Sequence, residues 1–134
     1  MPTSRDDLQG TVTGYAATSL GELPTLYDGF GMLVRAGLGI TAFGANIMDL
    51  PPDYSTAAHD ESDTGQQELY VALRGSGSVD IDDARLPLDA EHLVRVDAGT
   101  ARVLSSGANG LRVLCIGGVP GGAYTPPEWS SGTD

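Results

Sequence analysis

From Met32 onward, short apolar stretches alternate with turn residues at close intervals. "MLVRAGLGITAFGANIMDL" reads as two strands broken at Gly37 and Gly39 and ended by Pro51, Pro52 and Asp53. "ELYVALRG" reads as a strand, and "SGSVDIDDARLPL" as a hairpin turning at Asp82-Asp83. "HLVRVDAG" gives another strand, and "ARVLSSGANGLRVLCIGG" a further hairpin around Gly107 to Gly110. Many short strands separated by turn signals predict an all-β sandwich or barrel. No stretch keeps a helical period over three turns, so helix-rich folds fit poorly. Residues 1–31 form an irregular arm, in which Ser19 caps a single helical turn that Pro24 stops. The tail, residues 125–134, is rich in Pro and Ser and lies over the surface, with Trp129 packing back or facing a partner. The chain thus divides into a core barrel at about 32–124 and two flanking segments within one domain, 1–134.

Alternation assigns faces. In "ELYVALR" one face carries Leu69, Val71 and Leu73, and the other Glu68, Tyr70, Ala72 and Arg74. His59 and Glu61 are two residues apart and share a face if that segment is extended; Asp60 then points the other way. Tyr54 and Tyr70 either line a barrel mouth or belong to the core.

Charge narrows the partners. Seven basic against eighteen acidic residues leave a net charge of −11. Such a chain repels phosphate backbones and anionic membranes, so nucleic acid and membrane surfaces are excluded as partners. No run approaches the roughly 18 apolar residues of a membrane helix. The N-terminus lacks the basic-then-apolar pattern of a signal peptide, and the single Cys115 cannot form an internal disulfide. A cytoplasmic protein with Cys115 packed as a small hydrophobe is expected. The 19 glycines and 8 prolines suit a turn-rich β fold.

The order of elements and two spacings resemble the cupins, small β-barrels of the jelly-roll type. Their first motif runs Gly, five residues, His-x-His, three or four residues, Glu, six residues, Gly. Here Asp53 is followed after five residues by His59-Asp60-Glu61, after six by Glu68 and after six more by Gly75. Their second motif runs Gly, five residues, Pro-x-Gly, two residues, His, three residues, Asn. Here it reads Glu91, five residues, Asp97-Ala98-Gly99, two residues, Arg102, three residues, Ser106. The likeness covers about Met32 to Tyr124 and includes "QELYVALRGSGSV" and "GLRVLCIGGVPGGAY". It implies an RmlC-like jelly-roll barrel that pairs as a homodimer, often by sharing strands.

In metal-binding cupins the two histidines and the glutamate of the first motif, with the histidine of the second, hold a divalent metal. Carried over by position, those ligands become His59, Glu61, Glu68 and Arg102. The gap before Glu68 is longer than usual, which leaves Asp63 as an alternative to Glu61. Arg102 cannot ligate, since a guanidinium keeps its proton and offers donors only. It can replace the cation instead, setting its fork between Glu68 and Glu61. The expectation is then a barrel that binds a small molecule without an intact metal site and with no favoured cofactor. The alternative keeps a weak divalent metal (Mn, Fe, Ni or Zn) on His59, Glu61 and Glu68, in a dioxygenase or isomerase acting on a small polar metabolite. Whether the chain is an enzyme stays open. The bland reading makes His59 and its acidic neighbours a solvated loop, to which Asp60, Asp63 and Gln66 belong in any case. His92 reads as exposed at a strand edge. "GGVPGGAY" lacks the lysine of a phosphate loop, and no serine lies in a nucleophile elbow.

Overall fold

The computed structural model describes residues 14–130. After Ser19 a 3-10 turn spans Leu20–Glu22 and stops before Pro24, although the Ser19 side chain makes no capping bond. Strands β1 (Thr25–Leu26) and β2 (Gly31–Met32) pair with each other, and β2 pairs with β3 (Gly44–Leu50). The two strands expected across Met32–Leu50 are thus one strand preceded by a helical turn, Val34–Leu38. Gly39 is its left-handed C-cap at φ 71°. A glycine that ends a helix and a glycine that breaks a strand look alike in sequence.

Four further strands follow: β4 (Gln67–Ile81), β5 (Ala84–Leu88), β6 (Val94–Val96) and β7 (Val103–Gly118). Among the described residues the seven strands form one antiparallel sheet in the order β1-β2-β3-β7-β4-β5, with β6 also on β4. The β4–β5 turn falls at Asp82-Asp83, with Asp82 at φ 50°. β4 and β7 serve two halves of the molecule. Their register joins 67–72 to 113–118 in one half and 77–80 to 103–106 in the other.

Between the halves the register shifts at Ala72/Arg74 and at Gly75/Gly77. The hairpin expected around Gly107 to Gly110 is therefore a kink within a continuous strand. Close approach at this kink requires glycine. A Cβ on Gly75, at φ 78°, would lie 2.1 Å from the Gly110 carbonyl oxygen, and one on Gly77 would lie 2.0 Å from that of Ser105. Bent strand pairs of this kind let a sheet fold back on itself.

The sheet encloses one core, in which Tyr70, Val79, Leu88, Leu104, Val113 and Cys115 pack together. Glu68, Tyr70 and Ala72 therefore face inward, and Leu69, Val71 and Leu73 outward. Arg74, expected on the same face as Glu68, instead meets Asp49 at 3.5 Å, because the bulge at Leu73 reverses the alternation. Trp129 is exposed, while Ser130 is buried where Arg35 donates to its carbonyl. No helix among the described residues is long and apolar enough to cross a membrane.

The kink makes a quantitative test possible. Gly39→Ala meets no atom within 4 Å, so it carries only the left-handed backbone penalty of about 1–2 kcal/mol. Gly75→Ala carries that penalty and the backbone collision, and urea denaturation should find it clearly the more destabilising. Equal losses would contradict this account of the bend.

Candidate functional site

Residues 53–61 carry no regular strand, yet they run antiparallel to 102–107 as an added edge. Asp53 N–H donates to the Gly107 carbonyl, Thr56 N–H to Leu104, and His59 and Arg102 exchange both backbone bonds at 3.1 and 2.9 Å. Hydroxyls support the missing ladder: Ser106 Oγ accepts from Tyr54 N–H, Thr56 Oγ1 accepts from Leu104 N–H, and the Ser55 and Ser105 hydroxyls lie 2.9 Å apart. Glu61 N–H then donates to Ala98. This segment is extended, so His59 and Glu61 share a face as the two-residue spacing requires.

Four elements deliver the site. The edge segment brings His59 and Glu61, β4 brings Glu68 and Tyr70, the residue before β7 is Arg102, and the turn after β6 supplies the Asp97 carbonyl. One potential ligand atom from each of His59, Glu61 and Glu68 lies within 4.8 Å of the others. Side-chain exposure falls from 41% at His59 through 22% at Glu61 and 14% at Glu68 to 0% at Arg102. The site is therefore a funnel, with imidazole at the mouth and guanidinium at the base.

At the base, Glu68 Oε1 accepts from Tyr70 Oη at 2.5 Å and from Arg102 Nη1 at 3.2 Å. Two donors on one oxygen are the pattern of a carboxylate. Burial nevertheless raises the Glu68 pKa above its ordinary value, against the pull of Tyr70 and Arg102. Burial, reinforced by the Glu68 charge, likewise pushes the Tyr70 hydroxyl far above its usual range. The Cys115 thiol is buried beside them and is also pushed up, chiefly by burial. Both groups stay protonated at any ordinary pH. Arg102 Nη2 donates to the Asp97 carbonyl at 2.8 Å, so its fork does not bridge to Glu61. Its Nε is buried with no partner among the described residues.

At the mouth, His59 Nε2 lies 3.5 Å from Glu61 Oε2. That contact raises the His59 pKa despite partial burial and the nearby Arg102, and lowers that of Glu61. Thr64 Oγ1 donates to the other Glu61 oxygen at 3.1 Å. Asp63 is exposed and stands outside the cluster, and Asp60 turns away to accept from Ser62 N–H. Tyr54 is part-exposed against the Phe30 ring. His92 is exposed and paired with Asp89 at 2.8 Å. Two contributors escaped the sequence: a backbone carbonyl at Asp97 carries no residue signal, and Thr64 lay in an apparently plain acidic loop.

One pair of the donor set has the spacing of neighbouring metal ligands, while the trio as a whole converges to within 4.8 Å. Neighbouring ligands at about 2.1 Å from a metal lie about 3–3.5 Å apart, which the His59–Glu61 separation meets. One imidazole and two carboxylates would hold it, and the ion would supply Lewis acidity. In charge the same set is already compensated, with Arg102 beside Glu68 and an imidazole able to protonate beside Glu61.

No family model matches the sequence, and no curated protein is similar to it. Solved structures are similar in fold. A cupin protein from Bacteroides fragilis matches with a TM-score of 0.66 at 20% identity, over 87% of this chain and 93% of its own. A protein from Silicibacter pomeroyi, described as a sugar phosphate isomerase from a cupin superfamily, gives 0.57 at 17% identity, over 72% and 59%. An RmlC-like cupin from Desulfovibrio desulfuricans gives 0.51 at 17% identity, over 57% and 72%. Identities this low speak to fold. With one antiparallel sheet wrapped around one apolar core, and with these likenesses, the chain is a small cupin-fold protein of the all-β, jelly-roll type.

Proposed function

We propose that the protein binds a small, donor-rich molecule at the mouth of the barrel and holds no resident metal. The observation that carries this reading is Arg102, fully buried and paired with Glu68; the resemblance of the second motif to the cupins assigns that position to a metal-ligating histidine. Two pairs, Arg102–Glu68 and His59–Glu61, leave no carboxylate in the cluster without a cationic or protonatable neighbour. A charge buried without a partner would be expensive, and here the chain provides the partners itself. The groups nearest the mouth are carboxylate oxygens and an imidazole. A ligand that brings ammonium, amide or hydroxyl donors matches them.

A second reading is favoured by the 4.8 Å convergence of His59, Glu61 and Glu68. In it the trio holds Mn, Fe, Ni or Zn, and the protein acts as an isomerase or dioxygenase on a small polar metabolite. The isomerase description of the Silicibacter pomeroyi neighbour supports that class only through the shared fold.

The two readings differ in what Arg102→His should do. On the metal-free reading, titration of the wild type with Mn(II) or Co(II) gives no saturable binding, and the variant gains it. A folded Arg102→His protein that binds neither metal would count against the reading.

The pairing at the mouth sets a pH dependence. His59, raised above its ordinary 6.5, contributes stability that is complete below 6.5 and lost as pH rises through its folded value. Glu61, lowered from 4.5, contributes above 4.5 and loses its share as pH falls through its folded value. The His59 ring resonances in an NMR titration should move with a midpoint above 6.5, and Glu61→Gln should bring that midpoint down. A midpoint indifferent to Glu61→Gln would show that the pair does not persist in solution.

A further inference from the structure

We infer that Arg35 is a binding site for a small oxyanion, and that the chain after β7 is a strap which such an anion displaces. The inference stands apart from the metal question and from the ligand at the mouth. It starts from the charge partners of the arginines. Five of the six arginines among the described residues have a carboxylate partner: Arg74 and Arg112 on Asp49, Arg85 on Asp80, Arg95 on Asp97 and Arg102 on Glu68. Arg35 pairs with no carboxylate among the described residues, although it is only 9% exposed. A charge buried without a counter-charge is costly. The other deeply buried arginine, Arg102, meets that cost with Glu68.

Arg35 lies in the helical turn Val34–Leu38, and its two amino groups reach carbonyls instead. Nη1 donates to Ile40 at 3.2 Å and Nη2 to Ser130 at 2.7 Å. Its Nε–H is buried with no partner among the described residues. Both acceptors are neutral. An oxyanion would offer the guanidinium fork two parallel bonds and the counter-charge together. The net charge of −11 does not forbid this, because at physiological ionic strength charges beyond about 8 Å are largely screened.

The Ser130 carbonyl belongs to the strap, residues 119–130, which ends in a 3-10 turn at Glu128–Ser130. The backbone bonds of Gly122 and Ser130 close on Val119 and Pro127, within the strap, and the Ser130 hydroxyl also donates to Pro127. Arg35 ties this segment to the turn before β3. What the strap covers leads to the barrel site. Gly44, Gly117 and Glu68 lie opposite one another across β3, β7 and β4, so they share the inner face. A Cβ on Gly44 would lie 2.9 Å from the Tyr124 hydroxyl. The strap thus covers the end of the row that runs to Glu68, and its release uncovers that row.

Titration of the full chain with inorganic phosphate, at an ionic strength held constant with potassium chloride, tests this. Two signals report on it: the Arg35 Nε–H resonance, and the fluorescence of Trp129, the single tryptophan, next to Ser130. Phosphate should shift the resonance saturably. It should also raise acrylamide quenching of Trp129 by up to about twofold, since Trp129 is 57% exposed under the strap. A parallel titration with acetate tells which oxyanion the site takes, and a response to either supports the inference. Arg35→Gln should show the raised quenching without any anion, and Arg35→Lys, which keeps the charge without the fork, should lose most of the response. The wild-type titrations stand whether or not these variants fold. No response to phosphate or acetate, a resonance shift with unchanged quenching, or an equal response to added chloride would overturn the inference. So would a variant carrying Asp6→Asn, Asp7→Asn, Glu128→Gln and Asp134→Asn that is quenched as strongly as Arg35→Gln, because the anion would then be the chain's own.

Discussion

A guanidinium stripped of water must find its hydrogen bonds and its counter-charge inside the protein, and Arg102 is stripped completely. The surroundings of its two amino groups meet that requirement, while its Nε has no partner among the described residues. Glu68 supplies the negative charge, Tyr70 donates to the same carboxylate oxygen, and the Asp97 carbonyl accepts from the remaining amino group. Truncating one member of such a buried network leaves the others unpaired, which typically costs about 3–5 kcal/mol. Glu68 is thereby committed to the interior, while Glu61 and His59 answer to each other and to solvent. The site has a fixed base and an adjustable mouth.

The backbone that holds this arrangement is the pair β4 and β7. Each runs through both halves of the barrel, and both bend where Gly75 and Gly77 meet Gly110 and Ser105. On the inner face this pair carries Glu68 and Tyr70, and Arg102 directly precedes β7. The edge segment 53–61 bonds to the start of β7, so the position of His59 is set by Arg102 across a two-bond bridge. Charge compensation and strand pairing are therefore made by the same two residues.

Fold class was legible because short apolar runs and glycine-rich turns have few other solutions. The face shared by His59 and Glu61 followed from a spacing of two in an extended segment. Other features depend on context that a local pattern lacks. Gly107 to Gly110 reads as a hairpin turn until β4 is known to bend opposite it, when the same residues become a kink in one strand. Gly39 reads as a strand breaker until the helical turn before it is seen. Arg74 changes face because of a single bulged residue, Leu73. At the site, the likeness of motifs drew attention to Glu68 and Arg102, but where the second amino group of Arg102 would go depended on a backbone carbonyl that any residue could have supplied.

The central claim is that Arg102 takes over the role of a metal at the base of this barrel. Plasma mass spectrometry on untagged protein, expressed with Mn, Fe, Ni, Cu and Zn all in supply, tests it most directly. The account predicts each metal far below one per chain. Near-stoichiometric metal in the wild type, lost in His59→Ala and in Glu68→Ala, would contradict it and make the trio a metal centre in spite of its arginine.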